Sequence, residues 1–400
     1  MAKQETADIV IVGGGVIGSS IAYWLGASPD FDGRVVVVER DRTYARASTP
    51  LSAGGIRQQF SIRENIEIGL HAQDFLRQAP DLLAVADERP DLTFREAGYL
   101  FLAGATGRDI LAENHALQTQ CGAAIAWCEP DDLARRFPWL NTEDLSAGAF
   151  GERGEGWIDP NALLQAFKRK ARDLGADYLD AEVVGIDRAG GRATGVRLSD
   201  GRAISAGTVV VAAGPHSGAV GRLAGVDIPV GPRKRSIFVI SCRTPLWPDE
   251  PSRLGPLTID PSGVFVRPEG AGFICGVSPP EDEDPETWDD QVDWPMFEEI
   301  VWPALAHRVP AFEAIKPTGA WAGWYDYNSL DQNALIGRHP EVEGMIVATG
   351  FSGHGLQQAP SAGRAVMELI TAGAYRTIDL TRFGLERIAT GAAVKERNVV

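Results

Sequence analysis

Cysteine and methionine are scarce in this chain, four of each in 400 residues. The cysteines, Cys121, Cys128, Cys242 and Cys275, have no CxxC spacing and are too sparse for a disulfide framework or a zinc site. They are expected to be reduced and structural, with no metal bound. Basic residues are also in deficit: 38 Lys and Arg against 54 Asp and Glu leave a formal charge of −16. That charge repels phosphate backbones and anionic lipid, and argues against a nucleic-acid or membrane-surface role. Long apolar runs are missing too. The two uncharged stretches of membrane length, 203–221 and 345–363, carry Gly, Pro, Ser and other polar groups that disqualify a spanning helix. The opening residues Met1-Ala2-Lys3-Gln4-Glu5-Thr6 include acid and precede no apolar segment of signal-peptide type, so a cytoplasmic location is expected.

What is present is an ordinary globular composition, 44% hydrophobic and 23% charged, in a chain longer than a single core usually grows, so two lobes are expected. The organising stretch is the first forty residues. Asp8-Ile9-Val10-Ile11-Val12 reads as a strand, Gly13-Gly14-Gly15-Val16-Ile17-Gly18 as a G-x-G-x-x-G turn, and Ser19 to Leu25 as the start of a helix. Backbone N–H groups at such a helix start can hold a pyrophosphate. A second apolar run, Val35 to Val38, ends in Glu39, 21 residues beyond Gly18, where an acid grips ribose hydroxyls. The order of strand, turn, helix and strand predicts a bound dinucleotide, FAD or NAD. Glu39 argues against a 2′-phosphorylated nicotinamide.

Arg40 follows, and then the small-residue loop Ala47 to Gln59, in which Ser48, Thr49 and Ser52 offer hydroxyls to phosphate or ring edges while Ala53 and Gly54 permit close approach. A helical pattern runs through Ile62, Ile66, Phe75 and Leu76. Residues 91–150 change character, with a strand at Tyr99 to Leu102 and a helix near Ile110 to Gln120. Asp159-Pro160 starts an amphipathic helix over Leu163 to Leu174. Ala181 to Ile186 and Ala193 to Leu198 pair as strands around Gly190-Gly191. Thr208 to Val211 is a buried strand breaking on Ala213-Gly214-Pro215. From Ile228 to Pro317 an alternating, proline-rich pattern predicts antiparallel pieces and an acidic, solvated loop over Glu281 to Asp290. Met345 to Thr349 is a further buried strand, followed by a glycine-rich loop as far as Pro360 and a helix over Ser361 to Ile370. Three junctions of strand and glycine, at Gly13, Gly214 and Gly350, are expected to converge at the carboxyl edge of one sheet.

The Gly13 to Gly18 turn with Glu39, the Ser48 to Arg57 loop, Trp157-Ile158-Asp159-Pro160, Val211-Ala212-Ala213-Gly214 and Gly350-Phe351-Ser352-Gly353-His354-Gly355 together resemble the D-amino-acid oxidase/sarcosine oxidase superfamily of flavoenzymes, over nearly the whole chain and in the right order. Within it, Leu51 to Ser61, Trp324 to Asn328 and Gly353 to Pro360 look most like the branch whose mitochondrial members are linked to respiratory complex I assembly. The resemblance implies an α/β and α+β fold: a Rossmann-like FAD-binding domain (1–90, 151–227 and 318–400) with an inserted substrate domain built on a mainly antiparallel sheet (91–150 and 228–317).

It further implies FAD, with pyrophosphate at Gly13, Gly14, Gly15, Val16, Ile17 and Gly18, ribose at Glu39, adenine near Val183, and the ring between Ser48 to Gly55 and Gly350, Ser352, Gly353, His354, Gly355, Leu356 and Gln357. The reaction implied is oxidation of an amine or amino acid, with O₂ or a protein or quinone as electron acceptor. Arg57 falls where sarcosine oxidases bind carboxylate, although a structural arginine is the competing reading. His354 and Tyr325 are the other substrate-pocket candidates, with Tyr327 beside them; aromatic or flavin packing is the alternative for each. Departures from the family matter. Tyr325 stands near an arginine of glycine oxidases, Gln357 and Ile274 replace lysines of sarcosine oxidases, and Gly323 replaces their flavin-linking cysteine. Non-covalent FAD is implied. Two other readings are a flavin-containing assembly or binding factor without amine turnover, and a nicotinamide-dependent dehydrogenase.

Overall fold

The computed structural model describes residues 5–247, 249–250 and 253–397. Near-continuous β-branched runs make the centre of the first sheet, as strands buried on both faces require. Val35–Glu39, Glu5–Val12, Ala203–Val211 and Met345–Thr349 lie side by side in parallel. In register, Val12 stands level with Val38 and Val211, and Val211 with Val347, so four strand ends open at one edge. Asp177–Asp180 extends the sheet beyond Val35–Glu39, and Leu335–Arg338 closes the other side antiparallel. The hairpin of Val183–Ala189 and Arg192–Leu198 pairs with the first half of Ala203–Val211.

Helices Val16–Ala27, Arg63–Leu82, Pro160–Asp173 and Gly355–Ala372 pack on one face of this sheet around Ile21, Leu25, Phe75, Phe167 and Val366. The Ser20 hydroxyl donates to Ala359 O at 2.7 Å and Trp24 Nε1 to Pro360 O at 2.8 Å. A Cβ at Gly363 would lie 2.2 Å from Ser20 Oγ, so glycine sets how closely these helices cross.

The second sheet has eight strands in the order Lys316–Asn328, Val230–Ser241, Gly272–Gly276, Phe265–Glu269, Leu257–Ile259, Tyr99–Ala103, Ala147–Gly151 and Ile125–Cys128. All its pairings are antiparallel except Tyr99–Ala103 with Leu257–Ile259. The mixed architecture is the one expected.

Three details differ from the sequence reading. The expected border at 317/318 falls inside the strand Lys316–Asn328, which pairs along its length with Val230–Ser241 and so belongs to the second sheet. The last long helix begins at Gly355, not Ser361, because Pro360 sits inside it without ending it. The acidic loop is not simply solvated, since Asp284 within it is buried. All four cysteines are free thiols, and no helix among the described residues is long and apolar enough to cross a membrane.

Candidate active site

One elongated cavity of about 1050 Å³ runs along the strand-end edge of the first sheet and under the second. At its start the chain leaves Val12 through Gly13, whose φ of +101° and a would-be Cβ only 2.4 Å from Ala212 O admit glycine alone. The helix Val16–Ala27 then points its N-terminus into the cavity with no side-chain cap from Gly15; Val16 N–H reaches Thr49 Oγ1 at 3.3 Å. Such an end carries partial positive charge and unpaired N–H groups, a ready seat for pyrophosphate. At Gly18 a Cβ would fall 1.9 Å from Gly13 O, so this glycine serves helix packing rather than contact with a ligand.

Glu39 is held open beside the turn. Its Oε2 accepts Gly14 N–H at 2.8 Å and its Oε1 accepts Asp41 N–H at 2.9 Å, which fixes the carboxylate at the cavity wall with lone pairs to spare for hydroxyls. Arg40 Nη2 lies 2.5 Å from His216 Nε2. Burial and the neighbouring Arg40 and Arg46 push His216 down to about 4, so it is neutral and accepts that contact.

Of the residues expected at the cofactor, Gly13, Gly15, Val16, Ile17, Glu39, Arg40, Ser48, Thr49, Ser52, Ala53, Val183, Ala213, Gly214, Ser352, Gly353, His354, Gly355, Leu356 and Gln357 line the cavity, as do Arg57, Tyr325 and Tyr327. Gly14, Gly18, Gly54 and Gly350 do not. Gly54 and Gly350 turn the chain at φ +80° and +73° behind the wall, against Ile158 O and the side chains of Val230 and Asn328. The hydroxyls have protein partners: Ser48 Oγ donates to Trp324 O, Ser52 Oγ accepts Gly54 N–H, and Ser352 Oγ accepts Asn328 N–H. They hold loops in place as well as facing the cavity.

At the far end a second helix N-terminus, that of Gly355–Ala372, also enters the cavity uncapped by any side chain. Arg57 stands beside it. Its backbone N–H donates to Gln357 Oε1 at 2.8 Å, Nη1 donates to Gln59 O at 2.9 Å and Nη2 to His354 Nε2 at 3.0 Å. The guanidinium lies over the rings of Phe60, Phe101 and Tyr99, 4.4, 5.1 and 5.8 Å from their centroids. Burial and Arg57 drive His354 down to about 3, so this imidazole is neutral. Four arginines line the cavity: Arg40 pairs with Glu182, Arg46 with Asp290 and Arg235 with Asp284. Arg57 alone of the four has no ion-pair partner among the described residues.

Sequence reasoning missed several groups here. Arg235 makes a two-pronged contact with Asp284, at 2.8 and 2.7 Å, and stacks over Tyr325 at 4.7 Å. Tyr325 in turn packs so closely on Gly353 that a Cβ there would lie 2.8 Å from its ring. Asp326 lines the same region, its carboxyl pushed up to about 6 by burial although it accepts Phe351 N–H at 3.1 Å. Only Asp326 had a local signal, its place between Tyr325 and Tyr327.

The residues present fit an extended dinucleotide. Glycine corners and a helix N-terminus could hold its pyrophosphate, Glu39 could accept from a ribose hydroxyl, and the second helix N-terminus could face its ring. A side chain at Gly323 would strike Leu51 Cβ at 2.9 Å, and none of the four cysteines lines the cavity, which suits a cofactor held without a thioether.

Comparison with known proteins agrees. The family described as FAD dependent oxidoreductase (DAO) matches residues 8–369. The FAD-dependent oxidoreductase domain-containing protein 1 of Xenopus laevis is 44% identical over 430 residues, covering 99% of this chain and 85% of that one. A glycine oxidase of Bacillus licheniformis is 27% identical, covering 96% and 98%. Among solved structures, L-proline dehydrogenase from P. horikoshii superposes with a TM-score of 0.85 at 26% identity, over 98% of this chain and 100% of that one. With FAD the family's cofactor, the nicotinamide reading falls away, and the chain belongs to the DAO family of FAD-dependent oxidoreductases.

Proposed function

We propose that this protein oxidises the C–N bond of an amino acid or N-substituted amino acid, with Arg57 as carboxylate anchor. The observation that carries the reading is the Arg57 guanidinium, which has no ion-pair partner among the described residues, in a cavity whose other arginines each have an acidic partner. Its planar donor fork suits a carboxylate through two parallel hydrogen bonds. Relatives support the class: their names state oxidation of glycine, of sarcosine and of L-proline.

FAD, when bound, would supply the acceptor for a hydride from the carbon next to nitrogen; the iminium ion left behind adds water and splits into a carbonyl compound and an ammonium or alkylammonium ion. The chain's own residues orient the substrate. Neutral His354 accepts from Arg57 and adds no second cation, Gln357 fixes the Arg57 backbone, and Tyr325 offers a hydroxyl without a hydrogen-bond partner among the described residues. The positive charge of Arg57 near the amine favours its neutral form, which hydride loss requires. Electrons then pass to O₂ or to a protein or quinone acceptor.

Anaerobic mixing of the FAD-loaded protein with D-, L- and N-methyl amino acids tests the reading, and bleaching of the flavin band by at least one of them is expected. A protein that keeps FAD yet is bleached by none would instead be a flavin-containing assembly or binding factor.

A further inference from the structure

The second sheet roofs the cavity with an apolar wall built in register. Tyr99 pairs with Leu257, Phe101 with Ile259, and Ile259 with Phe265, so five large side chains on three neighbouring strands occupy two successive levels, and all five line the cavity. Tyr99 and Phe101 stack on each other at 5.4 Å between centroids. Directly opposed side chains on adjacent strands have Cβ atoms about 5 Å apart, close enough to pack on one another. The Arg57 guanidinium rests against the Tyr99 and Phe101 end of this wall.

We infer that the substrate is an α-amino or N-alkyl α-amino acid with a bulky apolar side chain, which packs on Phe101, Leu257, Ile259 and Phe265 while its carboxylate meets Arg57. The inference rests on the amino-acid reading above and adds the side-chain class to it. A carboxylate at Arg57 places the α-carbon one bond away from the anchored group, with the wall's rings and branched chains next along the cavity. Glycine or sarcosine would leave that wall facing a void, whereas apolar cavities gain affinity from an apolar occupant. An acidic side chain finds no spare cation, since Arg40, Arg46 and Arg235 each have an acidic partner. Near Tyr325, Asp326 accepts Phe351 N–H, and Arg235 and Asp284 already neutralise each other bidentately. Their closed pair makes a neutral end to the slot.

The FAD-loaded protein provides the test, through perturbation of flavin absorption by unreactive carboxylates. Acetate, isovalerate, benzoate and phenylacetate are titrated, and the anaerobic bleaching rates of glycine, sarcosine, proline, leucine, N-methylleucine and phenylalanine are compared. Isovalerate and the aryl acids are expected to bind at least about a hundred-fold more tightly than acetate, a discrimination that several apolar carbons can supply. Bleaching efficiency should rise in the same order. Ile259→Thr and Phe101→Ser should each shrink the preference by about ten-fold or more with FAD still bound. Equal binding of acetate and benzoate, or glycine bleaching as well as leucine, overturns the inference and leaves amine oxidation standing. Tight aryl-acid binding with no bleaching by any amino acid supports the apolar slot and overturns the oxidation reading.

Discussion

Arg57 donates from Nη2 to His354 Nε2 across 3.0 Å, and all the charge of the pair resides on the guanidinium. The imidazole, down at about 3, works as an acceptor that aims the arginine. Arg57→Ala should raise the KM for an amino-acid substrate by one or more orders of magnitude while FAD stays bound, because losing a charged hydrogen-bonded partner costs on the order of 2–5 kcal/mol. Unchanged kinetics would remove Arg57 from the site. His354→Gln, which keeps an acceptor, should retain more of the affinity than His354→Leu, and neither the wild type nor these variants should show a KM inflection assignable to His354 between pH 5 and 8.

Glu39 offers a second check that involves no turnover. Its carboxylate is fixed by Gly14 and Asp41 N–H groups at the cavity wall. Glu39→Ala leaves those donors to water and removes the acceptor proposed for the ribose, so the FAD dissociation constant, read by equilibrium dialysis, should rise about ten-fold or more, as a hydrogen bond to a charged group is worth about 1.5–3 kcal/mol. Retention of FAD at wild-type affinity would displace Glu39 from the ribose.

Glu155 makes stability depend on pH. It is fully buried behind Arg57, accepting Gln58 N–H at 2.5 Å and Gln59 Nε2–H at 2.7 Å, and burial pushes its carboxyl up to about 7. A carboxyl raised on folding holds its proton in the folded state at pH values where the unfolded chain has released it. Stability is therefore lost as pH climbs from about 4.5 to about 7. Each unit of such a shift is worth about 1.4 kcal/mol, so the loss is a few kcal/mol. Glu155→Gln should flatten the dependence of the unfolding midpoint on pH across this window. An unaltered slope would mean that other groups carry it.

Asp284 and Arg235 form a buried pair, 7% and 10% exposed at their side chains, and Arg235 Nε has no further partner. Asp284→Ala strands a buried cation and should destabilise the fold by about 3–5 kcal/mol, measured by denaturant titration. Asp284→Leu combined with Arg235→Met should recover most of that loss. A mild single variant with no recovery in the double would show the pair to be hydrated.

The first strand, its glycine turn and Glu39 were legible because each depends on neighbours within forty residues: a β-branched run, a backbone corner that admits no Cβ, and an acid at the next strand end. The helix Gly355–Ala372 was read as starting six residues late because an interior proline looks, in sequence, like a boundary; here the carbonyls of Ala359 and Pro360 accept from Ser20 and Trp24, more than three hundred residues away. The same distance hid Asp284. It sits among exposed acids and is set apart only by the fold, which brings Arg235 to it. The apolar wall was hidden for a related reason, since Tyr99 and Leu257 become neighbours through the one parallel pairing of the second sheet.

The chain visits the first sheet up to Glu39, the second at 99–151, the first again at 177–211, the second at 230–328 and the first finally at 335–349. Any cut that frees one sheet as a continuous fragment therefore deprives it of interior strands. Scission in a surface turn should leave halves that hold together and refold only in each other's presence, and heating should melt both sheets in one cooperative step, with the flavin released at the same temperature.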